Sequence, residues 1–311
     1  MTAAGAIERV AIATKTGSRE AVAAAGELSE WLRRRGLAVA LDERCQRALD
    51  VEATVYDPEE AYGLVVVLGG DGTLMSVARA QRHGVPILGV NLGGLGFLTE
   101  INRGELYPSM VQILAGRFGT EARSLLDVEL DRAAASNRPA AAPAAAGRLP
   151  EARSADAAPP APIAYKALND AVVTKSALAR IIDLRIEVDG RLVARYRSDG
   201  LILSTPTGST AYNLSAGGPI VYPTLPVIVL APICPHTLTH RPLVVPESSL
   251  IEVRLETPDQ EVYLTIDGQE GTTLEPDDRV RVRSSQAKAN LVRISGRSFY
   301  DGLRSKLRWG S

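Results

Sequence analysis

The sequence predicts an α/β N-terminal domain followed by a β-rich C-terminal domain, and three observations carry that prediction. The 311 residues allow two domains at roughly 150 residues each. Up to about residue 120, continuous apolar runs alternate with helical patterns that end at glycine. Beyond Leu125, runs of β-branched and alternating residues are separated by Asp-Gly turn signals.

Element by element, Arg9–Ala13 reads as a strand, Ser18–Arg35 as a helix stopped at Gly36, and Leu37–Leu41 as the next strand. The apolar run Gly63–Leu68 has the texture of a parallel strand buried on both faces. Thr73–His83 reads as a helix with Gly84 as its stop, and Pro86–Val90 as another buried strand. Glu105–Ala115 is expected to be a helix with Leu106, Met110 and Ile113–Leu114 on one side. In the second part the strand candidates are Leu126–Leu130, Ala171–Lys175, Ile181–Val188, Leu192–Arg197, Leu201–Leu203, Leu250–Leu255, Glu261–Ile266 and Asp278–Val282. Asp189-Gly190, Asp199-Gly200 and Asp267-Gly268 read as antiparallel hairpin turns.

These assignments set the expected domains at 1–123, completed by 291–311, and at 124–290. The stretch 133–163 is dominated by Ala and Pro, with Pro139, Pro143, Pro150 and Pro159 interrupting any helix, and is expected to be a disordered insertion.

Composition narrows the function classes. Hydrophobic residues make up 45% and charged residues 23%, a globular profile. Lys plus Arg (35) nearly cancels Asp plus Glu (36), leaving a net charge of −1. Nothing in that balance steers the chain to nucleic acid or to an anionic membrane, so an anionic ligand must be held locally. The two cysteines, Cys45 and Cys234, suit a reducing compartment, and Cys234 is expected in the core at the end of the apolar run Ile228–Cys234. The apolar runs are far shorter than the ~20 residues that span a bilayer, and Met1–Arg9 carries no signal-peptide pattern, so the expected location is cytoplasmic.

Four segments carry chemistry. Gly69-Gly70-Asp71-Gly72-Thr73 follows a buried strand and precedes a helix. Glycines there let backbone N–H groups approach phosphate, and the helix N-terminus favours an anion. Asp71 would oppose phosphate unless it positions a hydroxyl nucleophile or holds a divalent cation; the same loop is also a plain capped turn. Asn91–Leu98 is a second glycine-dense loop after the next strand, either lying against a flat ligand with Phe97 stacking or anchored to the core by Leu95 and Phe97. The stretch Thr205–Gly218 offers hydroxyls at almost every polar position, as a ribose and phosphate require, or forms a turn of small residues. Arg197–Gly200 and Asn169-Asp170 add charged and amide groups at strand ends, where solvated pairs and turns are also common. The prolines around His236 and His240 indicate an ordered loop in which His236 is structural. The G-x-x-x-x-G-K-[ST] loop, a G-x-G-x-x-G after the first strand and zinc-ligand spacings are absent.

Taken together, Gly69–Thr73, Asn91–Leu98, Asn169-Asp170, Arg197–Gly200, Thr205–Ile220 and Pro235–Pro242 resemble the NAD kinase family over most of the chain. The five-residue loop is shared with diacylglycerol-type lipid kinases and, more loosely, with phosphofructokinases; the Thr205–Ile220 stretch is much more specific. The resemblance implies an N-terminal Rossmann-like α/β domain, an all-β C-terminal sandwich, an NAD site in the cleft between them, and a homodimer or homotetramer. It implies transfer of the terminal phosphoryl group of ATP, or of polyphosphate, to the 2′-hydroxyl of the adenosine ribose of NAD, with magnesium bridging the donor phosphates. Carried over by position, Asp71 is the catalytic carboxylate. Asp71, Gly72, Phe97, Asn169, Asp170, Arg180, Arg197, Asp199, Thr210, Ala211, Tyr212, Asn213, Leu214, Ser215 and Gln269 surround NAD, while Gly69, Gly70 and Thr73 face the donor phosphates.

The chain departs from the family at Ser76, where many members carry a basic residue, at Asp170, where many have Glu, and in the 133–163 insertion. Two rival readings stay open. A lipid kinase would have no use for the ribose-suited polar groups, and a non-catalytic dinucleotide sensor no use for Asp71.

Overall fold

Unbroken burial along two of the central strands shows that both faces of a parallel sheet are covered. The computed structural model describes residues 7–51, 53–94, 96–132, 161–237, 239–258, 260–294, 296 and 298–308. It divides into two units, one of Met1–Leu125, Tyr222–Thr224 and Gln286–Ser311, the other of Leu126–Val221 and Leu225–Ser285.

In the first unit the chain runs β1 (Arg9–Thr14), α1 (Arg19–Arg33), β2 (Ala38–Leu41), α2 (Glu43–Leu49), β3 (Thr54–Val55), β4 (Leu64–Leu68), α3 (Asp71–Ala80), β5 (Pro86–Asn91), β6 (Ile101–Asn102) and α4 (Leu106–Leu114). The sheet order is β3-β2-β1-β4-β5, all parallel. Asn290 and Leu291 add a parallel pairing to the free side of β5. Val10 and Ile12 of β1 and Leu64, Val66 and Leu68 of β4 share a core with Ala21, Ala25, Leu28 and Leu32 of α1 and Met110 of α4. The intervening Ala11, Val65 and Val67 are equally buried and so face the other side of the sheet. That double burial is why β4 reads as an unbroken apolar run.

The second unit is built from β7 (Gly119–Asp131), β8 (Ile163–Ala167), β9 (Asp170–Lys175), β10 (Ile182–Val188), β11 (Arg191–Ser198), β12 (Gly200–Ser204), α5 (Tyr212–Ser215), β13 (Val227–Ile233), β14 (Leu243–Pro246), β15 (Ile251–Leu255), β16 (Val262–Ile266), β17 (Glu270–Leu274) and β18 (Arg279–Arg293). β7 and β18 belong to it from Leu126 onward and up to Ser285 respectively. One antiparallel sheet runs β14-β13-β12-β9-β16-β17. The other set pairs β11, β10, β15 and Arg279–Val282 of β18, also antiparallel. Inward residues of both sets, Val173, Leu203 and Leu264 against Leu184, Val253 and Val282, form one core, so the unit is a β-sandwich. A last helix, α6 (Phe299–Leu307), returns to the first unit and is started by a capping box between Ser298 and Asp301.

The fold class is the one the sequence predicts, and several local expectations need correction. The helix expected at Thr73–His83 is α3, Asp71–Ala80, because Gly70 is its N-cap and Gln81 leaves it in extended conformation. Gln81 is buried and accepts a 2.8 Å hydrogen bond from the Tyr56 hydroxyl, which ends the helix before Gly84 is reached. Asp199-Gly200 is not a hairpin turn: β11 pairs in one sheet of the sandwich and β12 in the other, so this dipeptide carries the chain across. Cys234 is not core. The β13 ladder ends at Ile233, and Cys234 follows it, exposed, with φ +44°. Ile163, placed in the insertion, is the first residue of β8 and pairs with Leu130. Of the rest of that insertion, Ala161 and Pro162 are exposed and 133–160 lies outside the described residues, as does Leu95.

Candidate active site

Parallel sheets bind ligands at the carboxyl ends of strands where the strand order reverses. In the first unit the chain winds outward from β1 through β2 to β3 and then restarts at β4 on the other side of β1, so the reversal lies between β1 and β4. A cavity of about 600 Å³ opens there. Its walls include Lys15 and Ser18 after β1, Gly69, Gly70 and Asp71 after β4, and residues of the loop after β5 up to Phe97. Gly69, Gly70, Asp71 and Phe97 thus line one space, whereas Gly72 and Thr73 lie behind it in the first turn of α3. Ser76 donates to the Gly72 carbonyl at 3.3 Å.

The two glycine-rich loops are tied together by Asp71. Its Oδ2 accepts from the Phe97 N–H at 2.8 Å, and its Oδ1 from the Leu98 and Thr99 N–H groups at 3.1 and 3.2 Å. The loop closes on itself behind the carboxylate. Thr99 Oγ1 accepts from the Gly96 N–H at 2.9 Å and from Asn91 Nδ2 at 3.3 Å, and Asn91 Nδ2 also donates to the Gly94 carbonyl at 2.8 Å. A methyl group on Gly96 would fall 1.9 Å from Asp71 Oδ1, so only glycine lets the loop wrap the carboxylate this closely. Three backbone dipoles aimed at the carboxylate explain how its charge is kept in the cavity wall.

In the second unit the structure brings together Leu168–Asp170, Ser204–Gly208 and Asp267. The Asp267 carboxylate accepts from the backbone N–H groups of Leu168, Asn169 and Asp170 at 3.0, 2.7 and 3.1 Å. Thr205 donates from its N–H to the Asn169 carbonyl at 2.8 Å and from Oγ1 to the Leu168 carbonyl at 2.6 Å. A Cβ at Gly208 would lie 2.2 Å from the Asn169 carbonyl oxygen, so that turn also requires glycine. Asn169 is half-buried at the end of this assembly and Asp170 starts β9, buried.

Burial, and secondarily the nearby charge of Asp267, raise the Asp170 carboxyl from its ordinary 3.8 to about 7. The sign for stability follows. An acid whose folded value is raised holds its proton longer in the folded state, so stability falls as pH rises from about 4 to about 7 and then levels. The slope in that window is at most about 1.4 kcal/mol for each step of one in pH. Asp170→Asn removes that cost. The variant is expected to unfold at the same urea concentration as the parent, or a lower one, at pH 4.5, to gain on it up to about pH 7 and to hold that gain at pH 8; equal gaps at pH 4.5 and pH 8 contradict this.

The remaining predicted residues fall differently. Asn213 turns inward, fully buried, with Nδ2 donating to the Ser209 and Pro219 carbonyls at 3.3 and 3.1 Å, and so builds the Thr205–Gly218 segment from inside. Thr210, Ala211 and Leu214 are half-buried, while Tyr212 and Ser215 are exposed around α5. Gln269 is exposed in the β16–β17 hairpin. The Arg180 and Arg197 side chains are exposed and make no hydrogen bond or ion pair among the described residues. Asp199 pairs with Lys175 at 3.7 Å. His236 is exposed and is held through its N–H to the Arg197 carbonyl.

Sequence reasoning missed Lys15, Ser18, Lys306, Thr99 and Asp267 as parts of these sites. Lys15 was within reach, because it follows a parallel strand at the ligand-binding edge. Asp267 carried only a turn signal, and its reach back to residues 168–170 is a tertiary fact. Among the described residues no group of three or more His, Cys, Asp or Glu side chains is placed to hold a metal, and no helix is long and apolar enough to cross a membrane.

Residues 10–118 match the ATP-NAD kinase N-terminal domain model and residues 168–294 the ATP-NAD kinase C-terminal domain model. The chain is 46% identical over 309 residues to an NAD kinase of Solibacter usitatus, covering 98% of both chains. It is 43% identical over 307 residues to an NAD kinase of Geotalea daltonii, covering 98% of this chain and 99% of that one. Among solved structures, yeast NADH kinase complexed with NADH superposes with a TM-score of 0.83 at 25% identity, covering 99% of this chain and 89% of the other. The fold is also that of an Archaeoglobus fulgidus NAD kinase in complex with ATP, TM-score 0.68 at 24% identity, covering 96% of this chain and 98% of that one.

Proposed function

The chain belongs to the NAD kinase family, and from that premise we propose how its residues divide the phosphorylation of NAD to NADP among them. The observation that carries the reading is the Asp71 carboxylate, held by three backbone N–H groups in the wall of a glycine-lined cavity at the reversal of strand order.

A carboxylate has about four acceptor sites, and three are in use, so Asp71 keeps one for a substrate hydroxyl. The 2′-hydroxyl of the adenosine ribose donates to Asp71, and its oxygen attacks the terminal phosphorus of ATP. The bond from that phosphorus to its bridging oxygen breaks, ADP leaves, and the proton passes to Asp71 late in a loose transition state. Gly69 and Gly70 present backbone to the donor phosphates, with Gly72 and Thr73 at the start of α3 behind them; Phe97 borders the acceptor. In the second unit, Asn169, Asp170, Arg180, Arg197, Asp199, Thr210, Ala211, Tyr212, Leu214, Ser215 and Gln269 serve NAD, with Asp170 accepting from a ribose hydroxyl, and Asn213 acts by shaping its segment.

A divalent cation fits as part of the donor rather than as a resident of the protein. Three acceptor sites of Asp71 are taken by backbone N–H groups and the remaining one by the hydroxyl, while Glu20, the other carboxylate of the cavity, pairs with Arg103 at 3.0 Å. Magnesium on ATP supplies neutralisation of the phosphate charge.

The loop that holds Asp71 gives a graded test. Thr99→Val keeps shape but removes the acceptor for the Gly96 N–H and Asn91 Nδ2. It is expected to lower kcat about tenfold and stability by roughly 1–3 kcal/mol, the cost of leaving a buried donor unsatisfied. Unchanged kcat would show that the loop holds Asp71 without the Thr99 hydroxyl.

The function itself is tested by incubating purified protein with NAD and MgATP and detecting product with an NADP-specific dehydrogenase. NADP with equimolar ADP is the expected outcome. No NADP from MgATP or from polyphosphate, with NAD bound, contradicts the reading.

A further inference from the structure

We infer that Lys15 and Lys306 form a two-sided cationic clamp for the phosphate chain of the phosphoryl donor. The inference rests on the reading of the Asp71 cavity as the phosphoryl-transfer site and extends it to residues that motif spacing does not reach.

Both lysines line that cavity, and they come from opposite ends of the chain. Lys15 directly follows β1, with its N–H bonded to the Leu68 carbonyl at 2.9 Å, which fixes it beside Gly69. Lys306 comes from α6. Gly302, one helical turn earlier, faces Phe97, with a Cβ there 3.7 Å from the ring. Residues four apart share a helix face, so the face of α6 that abuts Phe97 also brings Lys306 to the cavity.

Charge makes the pair informative. Neither lysine side chain has a carboxylate partner: both are solvent-accessible and make no ion pair or hydrogen bond among the described residues. The carboxylates of the same cavity are engaged, Glu20 with Arg103 and Asp71 with three N–H groups. The adjacent basic residue of α6, Arg304, is paired with Asp301. The cavity therefore offers two uncommitted cations beside glycine backbone and the Ser18-capped start of α1, which is the chemistry of a polyanion site. A nucleoside triphosphate and linear polyphosphate share that chemistry. The competing role for Lys306 is to offset the dipole at the end of α6, where it lies in the last turn.

The test uses Lys15→Gln, Lys306→Gln, the double variant and Lys306→Arg in the full chain, with MgATP and with linear polyphosphate as donors. Each Gln variant is expected to raise the donor KM at least about tenfold and the double variant about 100-fold. NAD KM should stay within about twofold, Tm within about 2 °C, and Lys306→Arg should recover most of the loss. Affinity for inorganic tripolyphosphate, measured by calorimetry without NAD, should fall in parallel. Unchanged donor KM in the double variant overturns the clamp. A loss of Tm in Lys306→Gln without a change in donor KM assigns that residue to the helix end and overturns its half. An effect on MgATP but not on polyphosphate, where both turn over, overturns the phosphate-chain assignment. If the parent makes no NADP at all, the functional reading falls by itself; the lysines are then judged on tripolyphosphate, whose retention in the double variant rejects the clamp and whose loss supports it.

Discussion

Asp71→Asn is expected to lower kcat about 1000-fold while KM for NAD and for the donor changes by less than about threefold. Removal of a positioned general base costs typically 10²–10⁴ in rate, and in this reading Asp71 meets the hydroxyl proton only as the transition state is reached. The substitution is nearly isosteric but not silent in the loop. An amide oxygen at Oδ1 still accepts from Leu98 and Thr99, whereas an amide NH₂ at Oδ2 faces the Phe97 N–H donor to donor. A stability loss of roughly 1–3 kcal/mol accompanies the rate loss, and urea unfolding of the same preparation separates the two. A variant that unfolds like the parent and turns over within tenfold of it removes Asp71 from the chemistry.

Gly96→Ala is expected to be the second most damaging single change, with kcat down about 100-fold or more. The added carbon would stand 1.9 Å from Asp71 Oδ1 and 2.4 Å from its Cγ, well inside contact distance. Relief requires either the carboxylate to turn away or the loop to retreat and give up its N–H contacts to Asp71. Both outcomes move the carboxylate, and misplacement of a catalytic group by about 1 Å costs on the order of 100-fold. Overpacking strain adds a stability cost of roughly 1–3 kcal/mol. Activity and Tm measured on Gly96→Ala check this: activity within threefold of the parent would mean that the loop has slack at the carboxylate.

Much of this site was legible because its signals are local. A buried run followed by Gly-Gly-Asp-Gly and a helical pattern places Asp71 at the carboxyl end of β4, and the structure adds that it is the first residue of α3 rather than part of the preceding loop. The second glycine loop was readable as a ligand-facing segment, but its hold on the Asp71 carboxylate joins residues 26 to 28 apart and has no spacing signature. Asp267 illustrates the same limit: Asp-Gly predicts its turn, while its support of Asn169 crosses 98 positions. Lys306 was invisible because α6 is short, with one buried side chain, Leu303, too little for an apolar stripe. Cys234 misled because an apolar run implies burial only while the ladder continues, and β13 ends one residue earlier. The long strands β7 and β18 were read as short runs because polar stretches, 119–124 in β7 and 283–288 in β18, break the apolar alternation.

The central claim is that the Asn91–Thr99 loop serves catalysis by holding the Asp71 carboxylate. Single-turnover NADP formation across the parent, Asp71→Asn, Gly96→Ala and the double variant tests it most directly. If both residues act through one carboxylate, the double variant is expected to be no slower than Asp71→Asn within about threefold, since a misplaced group that is already absent cannot be lost again. Multiplying losses, near 10⁵ in the double variant, would contradict the account and separate the glycine loop from Asp71.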